Sequence, residues 1–214
     1  MVSRREAADH KFSSMFNSNR LQVRRVAGTV ATWFTGRSDM DWWRNPANLH
    51  QAWGKRTEIM AQAIPADSTV LEIGAGDQAL RRLLPPTCRY YAMDLVARTP
   101  DTVVGDLNVR PLPNVAHLGA TMTVLSGVLE YVQRPREVVV WLADVAPHCL
   151  VSYCPVRVRV PGERAVKALL RARNGWVNSL TREEFVALFE RAGFSGGPFQ
   201  EWRGHLLCQF ALRR

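Results

Sequence analysis

The chain has few lysines, few cysteines and no long apolar run. No apolar stretch approaches the ~18 residues that can cross a bilayer, so nothing in the sequence reads as a membrane span. The four cysteines (Cys88, Cys149, Cys154 and Cys208) fall in or beside stretches that read as core strands, without the paired spacing of a metal site. Buried free thiols are expected rather than disulfides or zinc ligands, which fits a reducing compartment. No metal is expected. The only lysines are Lys11, Lys55 and Lys167, yet the formal net charge is +9. Arginine therefore carries the basic character, and its planar fork suits phosphate and carboxylate groups. A solvated arginine-rich surface accounts for the same composition equally well. No secretory apolar segment followed by a small-residue cleavage site stands out. Glu6 and Asp9 argue against a transit peptide, since such peptides avoid acids. The expected location is cytoplasmic.

At 214 residues with 47% hydrophobic content, the chain can bury one well-packed domain plus an appendage. Residues 1–45 read as that appendage. A polar start with Arg4 and Arg5 leads into Leu21–Phe34, which mixes basic and apolar residues like a short amphipathic helix, and then into the aromatic stretch Asp39–Pro46. Residues 46–214 read as the main domain, with a first helix over Ala47–Ala63. Strands are predicted at 69–73, 88–93, 102–105, 119–126 and 148–153. Helices are predicted at 77–84, 134–145 and 181–192, and a closing hairpin within 196–212. Strands alternating with helices imply a doubly wound, mostly parallel sheet with helices on both faces. The extension is too small for its own core and is expected to pack over the domain as a substrate lid.

The most informative stretch is Thr69-Val-Leu-Glu-Ile-Gly-Ala-Gly-Asp77. A buried strand breaks into a glycine turn, where backbone can approach a ligand closely. Roughly 20 residues on, Arg89–Asp94 reads as a second buried strand ending in an acid, the spacing at which a carboxylate accepts from a ribose. A nucleoside cofactor follows from the pair.

Glu72 inside the strand does not belong to the nicotinamide pattern. With Gly74 and Gly76 it makes the chain resemble the class I S-adenosylmethionine-dependent methyltransferases, although Gln78 stands where their last motif glycine usually lies. The resemblance continues in order through Thr102–Asn108, Thr121–Val132, Cys149–Pro155 and Asn178–Phe194. It implies a Rossmann-like α/β fold of seven strands with a short N-terminal helical extension, and S-adenosylmethionine as cofactor. The implied cofactor-binding residues are Glu72, Gly74 and Gly76 around the methionine moiety, Asp94 on the ribose, Asp106 and Leu107 at the adenine, and Ser126, Gly127 and Glu130 near the sulfonium. Lys55 or Arg56 could hold the cofactor carboxylate.

Methyl transfer to oxygen or nitrogen often needs a base; the candidates are Tyr131, Tyr153 and His50. His148 sits at the wrong end of its strand, and His205 lies in the hairpin. Cys154-Pro155 reverses the Pro-Cys order of cytosine-5 methyltransferases, so Cys154 reads as structural. The Asn/Asp-Pro-Pro-aromatic signature of amino-methyltransferases is absent, with Ser126-Gly-Val-Leu-Glu130 in its place. The arginines of 156–176, with the N-terminal tryptophans, are expected to rim an acceptor pocket. The favoured function is O-methylation of a small-molecule or saccharide acceptor, with no specific nucleic acid as partner. An RNA methyltransferase and a cofactor-binding protein without catalysis are the alternatives.

If RNA were the partner, many arginine–phosphate contacts would make affinity fall about 10³–10⁵-fold between roughly 50 and 200 mM salt for about 6–10 contacts. The expected outcome is weak RNA binding lost near physiological salt, and no methyl incorporation. Labelled methyl groups appearing in purified ribosomal or transfer RNA at about 150 mM salt would contradict it.

Overall fold

The computed structural model describes residues 21–49 and 53–213. His50, one of the candidate bases, lies outside the described residues. Seven strands form one sheet in the order β3-β2-β1-β4-β5-β7-β6. They are β1 (Thr69–Ile73), β2 (Arg89–Asp94), β3 (Val103–Val104), β4 (Met122–Ser126), β5 (His148–Tyr153), β6 (Phe194–Trp202) and β7 (His205–Leu212). β1 to β5 pair in parallel, while β7 runs antiparallel to both β5 and β6. The strand order reverses between β1 and β4, and ligands of open α/β sheets collect at the carboxyl ends beside such a reversal.

Continuous apolar runs become these strands because both of their faces are covered. On one face Leu71, Ile73, Leu125 and Val151 join Val138, Leu142, Phe185 and Phe189. These last four come from α4 (Pro135–Val145) and α6 (Arg182–Arg191). On the other face Val70, Met122, Val124, Leu150 and Leu207 pack on Met60 and Ala61 of α3 (Gly54–Gln62). Helix α6 starts on a capping box between Thr181 and Glu184, which satisfies amide donors at its first turn.

The local differences from expectation have physical causes. Residues 77–84 form only a 3-10 turn over Leu80–Arg82, because Gln78 takes a left-handed φ of 56°, which a helix cannot contain. The strand expected from 119 starts at Met122, after Gly119 ends a short 3-10 turn. The first helix is shorter than Ala47–Ala63: a 3-10 turn holds Pro46–Asn48 and α3 begins at Gly54. The segment 156–176 contains a full helix, α5 (Glu163–Ala172). Its charged side faces the protein, with Arg164 on Glu184 and Arg171 buried, whereas Val166, Leu169 and Leu170 are exposed. Such a reversed pattern hides a helix from periodicity, which assumes that the apolar stripe faces inward.

The extension is helical over residues 21–35 (α1) and again in α2 (Met40–Arg44). It is stitched to the domain by polar bonds. Thr29 donates to the Ala172 carbonyl at 2.9 Å, the Trp33 indole to the Val177 carbonyl at 3.1 Å, and Gln133 to the Thr32 carbonyl at 2.8 Å. Arg24 forks onto Asp39 with two bonds of 2.8 Å. Buried Arg25 lies over the rings of Trp42, Trp43 and Tyr131, at 4.5, 4.9 and 5.2 Å from their centroids.

The aromatic stack beneath β7 anchors the sheet. Phe189 and Phe210 stack at 4.0 Å and 2°. Phe189→Ala is expected to cost about 3–5 kcal/mol, read as a lower urea midpoint. A loss under ~1 kcal/mol would show that the stack does not anchor the fold.

Candidate functional site

A cavity of about 380 Å³ opens at the carboxyl ends of β1, β2 and β4. The β1–α3 side and the β2 end build its floor. The turn after β1 is fastened to β2: the amides of Gly74 and Ala75 both donate to the Met93 carbonyl, at 2.8 and 3.1 Å. The Gly76 amide donates to Asp94 Oδ2 at 2.7 Å, and the Val96 amide donates to Oδ1 at 3.0 Å. An ionised carboxylate has about four acceptor sites, so two remain on Asp94. Gly74 has φ +72°, and a Cβ there would lie 2.5 Å from Val128; no other residue fits without displacing that side chain.

Gln78 adopts the conformation a glycine would supply. Its side-chain amide donates to Thr99 Oγ1 at 2.8 Å, which ties the far end of the turn to the segment after β2. The missing motif glycine therefore changes how the turn is held and leaves its left-handed shape in place.

Glu72 is buried at the cavity floor and accepts from the Tyr90 hydroxyl at 2.5 Å. Burial pushes its carboxyl up to about 8, against the opposing hydrogen bond from Tyr90. Burial thus favours its neutral form near pH 7.

Asp106, expected to face an adenine, is engaged by its own protein. The Ser38 amide donates to Oδ2 at 2.8 Å, the Ser38 hydroxyl to Oδ1 at 2.6 Å, and the Asn108 amide to Oδ1 at 2.9 Å. Asn108 spans the same wall, donating to Ser38 Oγ and to the Tyr131 carbonyl, each at 2.9 Å. The extension thus forms part of the cavity lining through Ser38 and Trp43.

Arg56 from α3 enters over the end of β4. It is 3% exposed, and it donates to the Ser126 carbonyl at 3.1 Å while its Nε has no partner. It has no carboxylate ion pair within 4.0 Å among the described residues. Burial lowers its pKa from the usual guanidinium value, partly offset by Glu130, and the group stays charged. A Cβ on Gly127 would lie 2.7 Å from its Nη1, so that glycine makes room for the guanidinium.

Glu72, Gly74, Gly76, Asp94, Asp106, Leu107, Ser126, Gly127 and Tyr131 all line this cavity. Glu130 and Tyr153 do not. Glu130 lies behind it, fully buried, accepting from the Cys154 amide at 2.8 Å. Tyr153 is a correction to the list of bases: it is wholly buried, stacked on Phe185, with its hydroxyl held by Asn178 at 2.6 Å and the Leu180 amide at 3.0 Å. The Tyr131 phenol is pushed up by burial, with Arg25 opposing. Arg171, expected at a pocket rim, is buried and bonds the Asn178 carbonyl at 3.1 Å. Sequence reasoning passed over Ser38, Asn108 and Arg98, which also donates to the Trp43 carbonyl at 2.6 Å; only long-range folding brings them together. Among the described residues no group of acids, histidines or cysteines could hold a metal, and no helix is long and apolar enough to cross a membrane.

Glu72 has a clear pH signature. Its folded pKa lies above the unfolded one, so its contribution to stability is full below about 4.5 and is lost as pH rises through about 8. Urea unfolding of the protein should show stability falling over that window, and Glu72→Gln should flatten the slope. An unchanged slope in the variant would place the titrating group elsewhere.

Comparison with known proteins gives the family and the fold. A family model described as a methyltransferase domain matches residues 46–196. No curated protein matches in sequence. Among solved structures, the chain is similar to human N-acetylserotonin methyltransferase in complex with S-adenosylmethionine, at 14% identity and a TM-score of 0.59, covering 89% of this chain and 67% of that one. It is also similar to CalO1, a methyltransferase in calicheamicin biosynthesis, bound to S-adenosylhomocysteine (18%, 0.59, 92% and 69%). A third is the N-terminal domain of EvdMO1 in the presence of S-adenosylhomocysteine and D-fucose (19%, 0.55, 77% and 84%). The chain belongs to the methyltransferase-domain family.

Proposed function

We propose, from this family membership, that the protein transfers a methyl group from S-adenosylmethionine to a hydroxyl of a small-molecule or saccharide acceptor. The observation that carries the reading is the pairing, in one cavity, of Asp94 with a buried guanidinium that has no carboxylate ion pair among the described residues. A ribose offers two hydroxyl donors to the free acceptor sites of Asp94. Arg56 is the counterion for the cofactor's carboxylate, since a buried guanidinium without an anion is costly. Glu72 beneath the glycine turn takes the ammonium and gives up its proton as the cofactor binds. Leu107 supplies an apolar wall for the adenine, and Asp106 holds that wall to the extension through Ser38. Ser126 and Gly127 close the end of β4 beside the methionine moiety.

When bound, the cofactor supplies a methyl group already activated by its sulfonium, so alignment of the acceptor contributes most of the rate. The acceptor side is bounded by Trp43, Trp53 and Tyr131, which also line the cavity. The extension, residues 1–45, acts as a substrate lid, its described part giving Ser38 and Trp43 to the lining, and residues 46–214 form the catalytic domain. The EvdMO1 domain, crystallised in the presence of D-fucose, supports a saccharide as acceptor class.

Asp94→Ala should weaken S-adenosylmethionine binding by roughly ten- to a hundredfold, from loss of charge-assisted bonds worth about 1.5–3 kcal/mol each. Arg56→Gln should do comparable harm, and both effects are read by calorimetry. Unchanged affinity in both variants would remove the basis of this assignment.

A further inference from the structure

Two adjoining helices are turned inside out. On α1, Arg25, Thr29 and Thr32 are buried against the domain, whereas Val23, Ala27, Val30 and Phe34 are exposed, Phe34 at 87%. Those four recur three or four residues apart, so they form one stripe along the helix. Helix α5 repeats the pattern. Arg171 and Ala172 are buried and Arg164 reaches Glu184, while Val166, Leu169 and Leu170 look outward, Leu169 at 68%. The chain leading into α5 adds Val158 and Val160, both exposed. The helices meet where Thr29 donates to the Ala172 carbonyl and where the Arg25 guanidinium packs against Gly175. Apolar residues scattered singly over a surface need no explanation, but two apolar stripes on helices whose polar sides are buried do.

Charge decides what covers them. Residues 156–176 hold five arginines and Lys167 against the single acid Glu163, and residues 21–35 hold Arg24 and Arg25 with no acid. The acids at hand are already engaged, Glu163 by Lys167 and Asp39 by Arg24. Arg37, Arg157, Arg159 and Arg173 are exposed, with no ion pair within 4.0 Å among the described residues, and none of them lines the cavity. A second copy of the chain would set one basic face against another, which like charges oppose. Residues 1–20 carry Arg4, Arg5, Lys11 and Arg20 against Glu6 and Asp9, and would add to the same excess. RNA would answer the arginines but leave valines and leucines in water, since unpaired bases stack on aromatic rings and guanidinium planes. An anionic bilayer answers both. Its headgroups meet the arginines while the apolar stripes enter the boundary with the acyl chains.

We propose that α1 and α5 form a docking surface for an anionic lipid bilayer, on which the protein lies without spanning it. The proposal goes beyond methyl transfer and does not rest on the cofactor reading. Arginines beside the stripes lay their stems over apolar surface and raise their charged heads to the lipid phosphates. Trp33 suits the same depth, an exposed ring on α1 whose indole N–H is already satisfied by the Val177 carbonyl. The extension that carries α1 also gives Ser38 and Trp43 to the cavity, so one segment of chain serves both the docking face and the cavity wall.

The test is sedimentation of the full chain with vesicles of phosphatidylcholine, with and without phosphatidylserine. Partition should rise more than about tenfold when phosphatidylserine is present, and fall as salt is raised. Arg157→Gln, Arg159→Gln and Arg173→Gln combined should weaken it on the order of 10²-fold, about fivefold for each arginine. Leu169→Ser with Leu170→Ser should weaken it about tenfold or more. Phe34→Ser, on the other helix, should weaken it separately. All these variants alter exposed side chains, so their urea midpoints should match the wild type; a variant with a lowered midpoint leaves the others to decide. Equal partition onto both kinds of vesicle, or partition unchanged in the arginine and leucine variants, overturns the proposal. Vesicles left unbound overturn it too. The face then belongs to a second copy if the lipid-free chain dimerises and Leu169→Ser abolishes the dimer, or to RNA if the arginine variant loses binding to purified ribosomal RNA.

Discussion

The geometry of the site depends on one carboxylate. Asp94 closes the glycine turn after β1 by accepting the Gly76 amide, and opens the segment after β2 by accepting the Val96 amide. The Met93 carbonyl adds two more bonds to the same turn. Because β1 and β2 are neighbours in the sheet, this clamp fixes the turn as rigidly as the core beneath it. Backbone amides that would otherwise need water are satisfied, and two acceptor positions are left facing the cavity. The turn's remaining freedom is removed by Gln78, whose left-handed backbone is held through Thr99.

The second constraint is buried charge. Glu72, Glu130, Arg56 and Arg171 are all nearly inaccessible, and among the described residues none of them makes a short ion pair. Burial shifts Glu72 and Glu130 towards the neutral form. Groups held in this way are poorly compensated in the free protein and well placed to be compensated by a ligand. On the proposed function, a cofactor with both a carboxylate and an ammonium supplies the opposite charges for Arg56 and Glu72. The cost of keeping such groups in the fold is the physical reason for proposing a zwitterionic ligand here.

Much of this was legible in the sequence wherever local signals sufficed. β1 and β5 were readable to the residue, since Thr69–Ile73 and His148–Tyr153 are apolar runs bounded by turn residues and covered on both faces. The glycine turn and Asp94 were readable from spacing alone. Helix α5 was not, because its charged side packs inward and its apolar side outward. The clamp of Ser38 on Asp106 was not readable either, as it joins residues 68 apart. Tyr153 looked available at a strand end, but side-chain alternation turns it into the Phe185 stack. His205 looked remote in the hairpin, yet antiparallel pairing of β7 with β5 sets it beside Glu130.

The central claim is that the cavity at the reversal between β1 and β4 is shaped for an adenosyl amino acid and not for a dinucleotide. The most direct measurement is a calorimetric titration of the wild-type chain with S-adenosylhomocysteine and, separately, with NAD. The account predicts one saturable site per chain for S-adenosylhomocysteine, with proton release at neutral pH as Glu72 ionises, and no saturable binding of NAD. Saturable NAD binding, or no binding of S-adenosylhomocysteine, would contradict it.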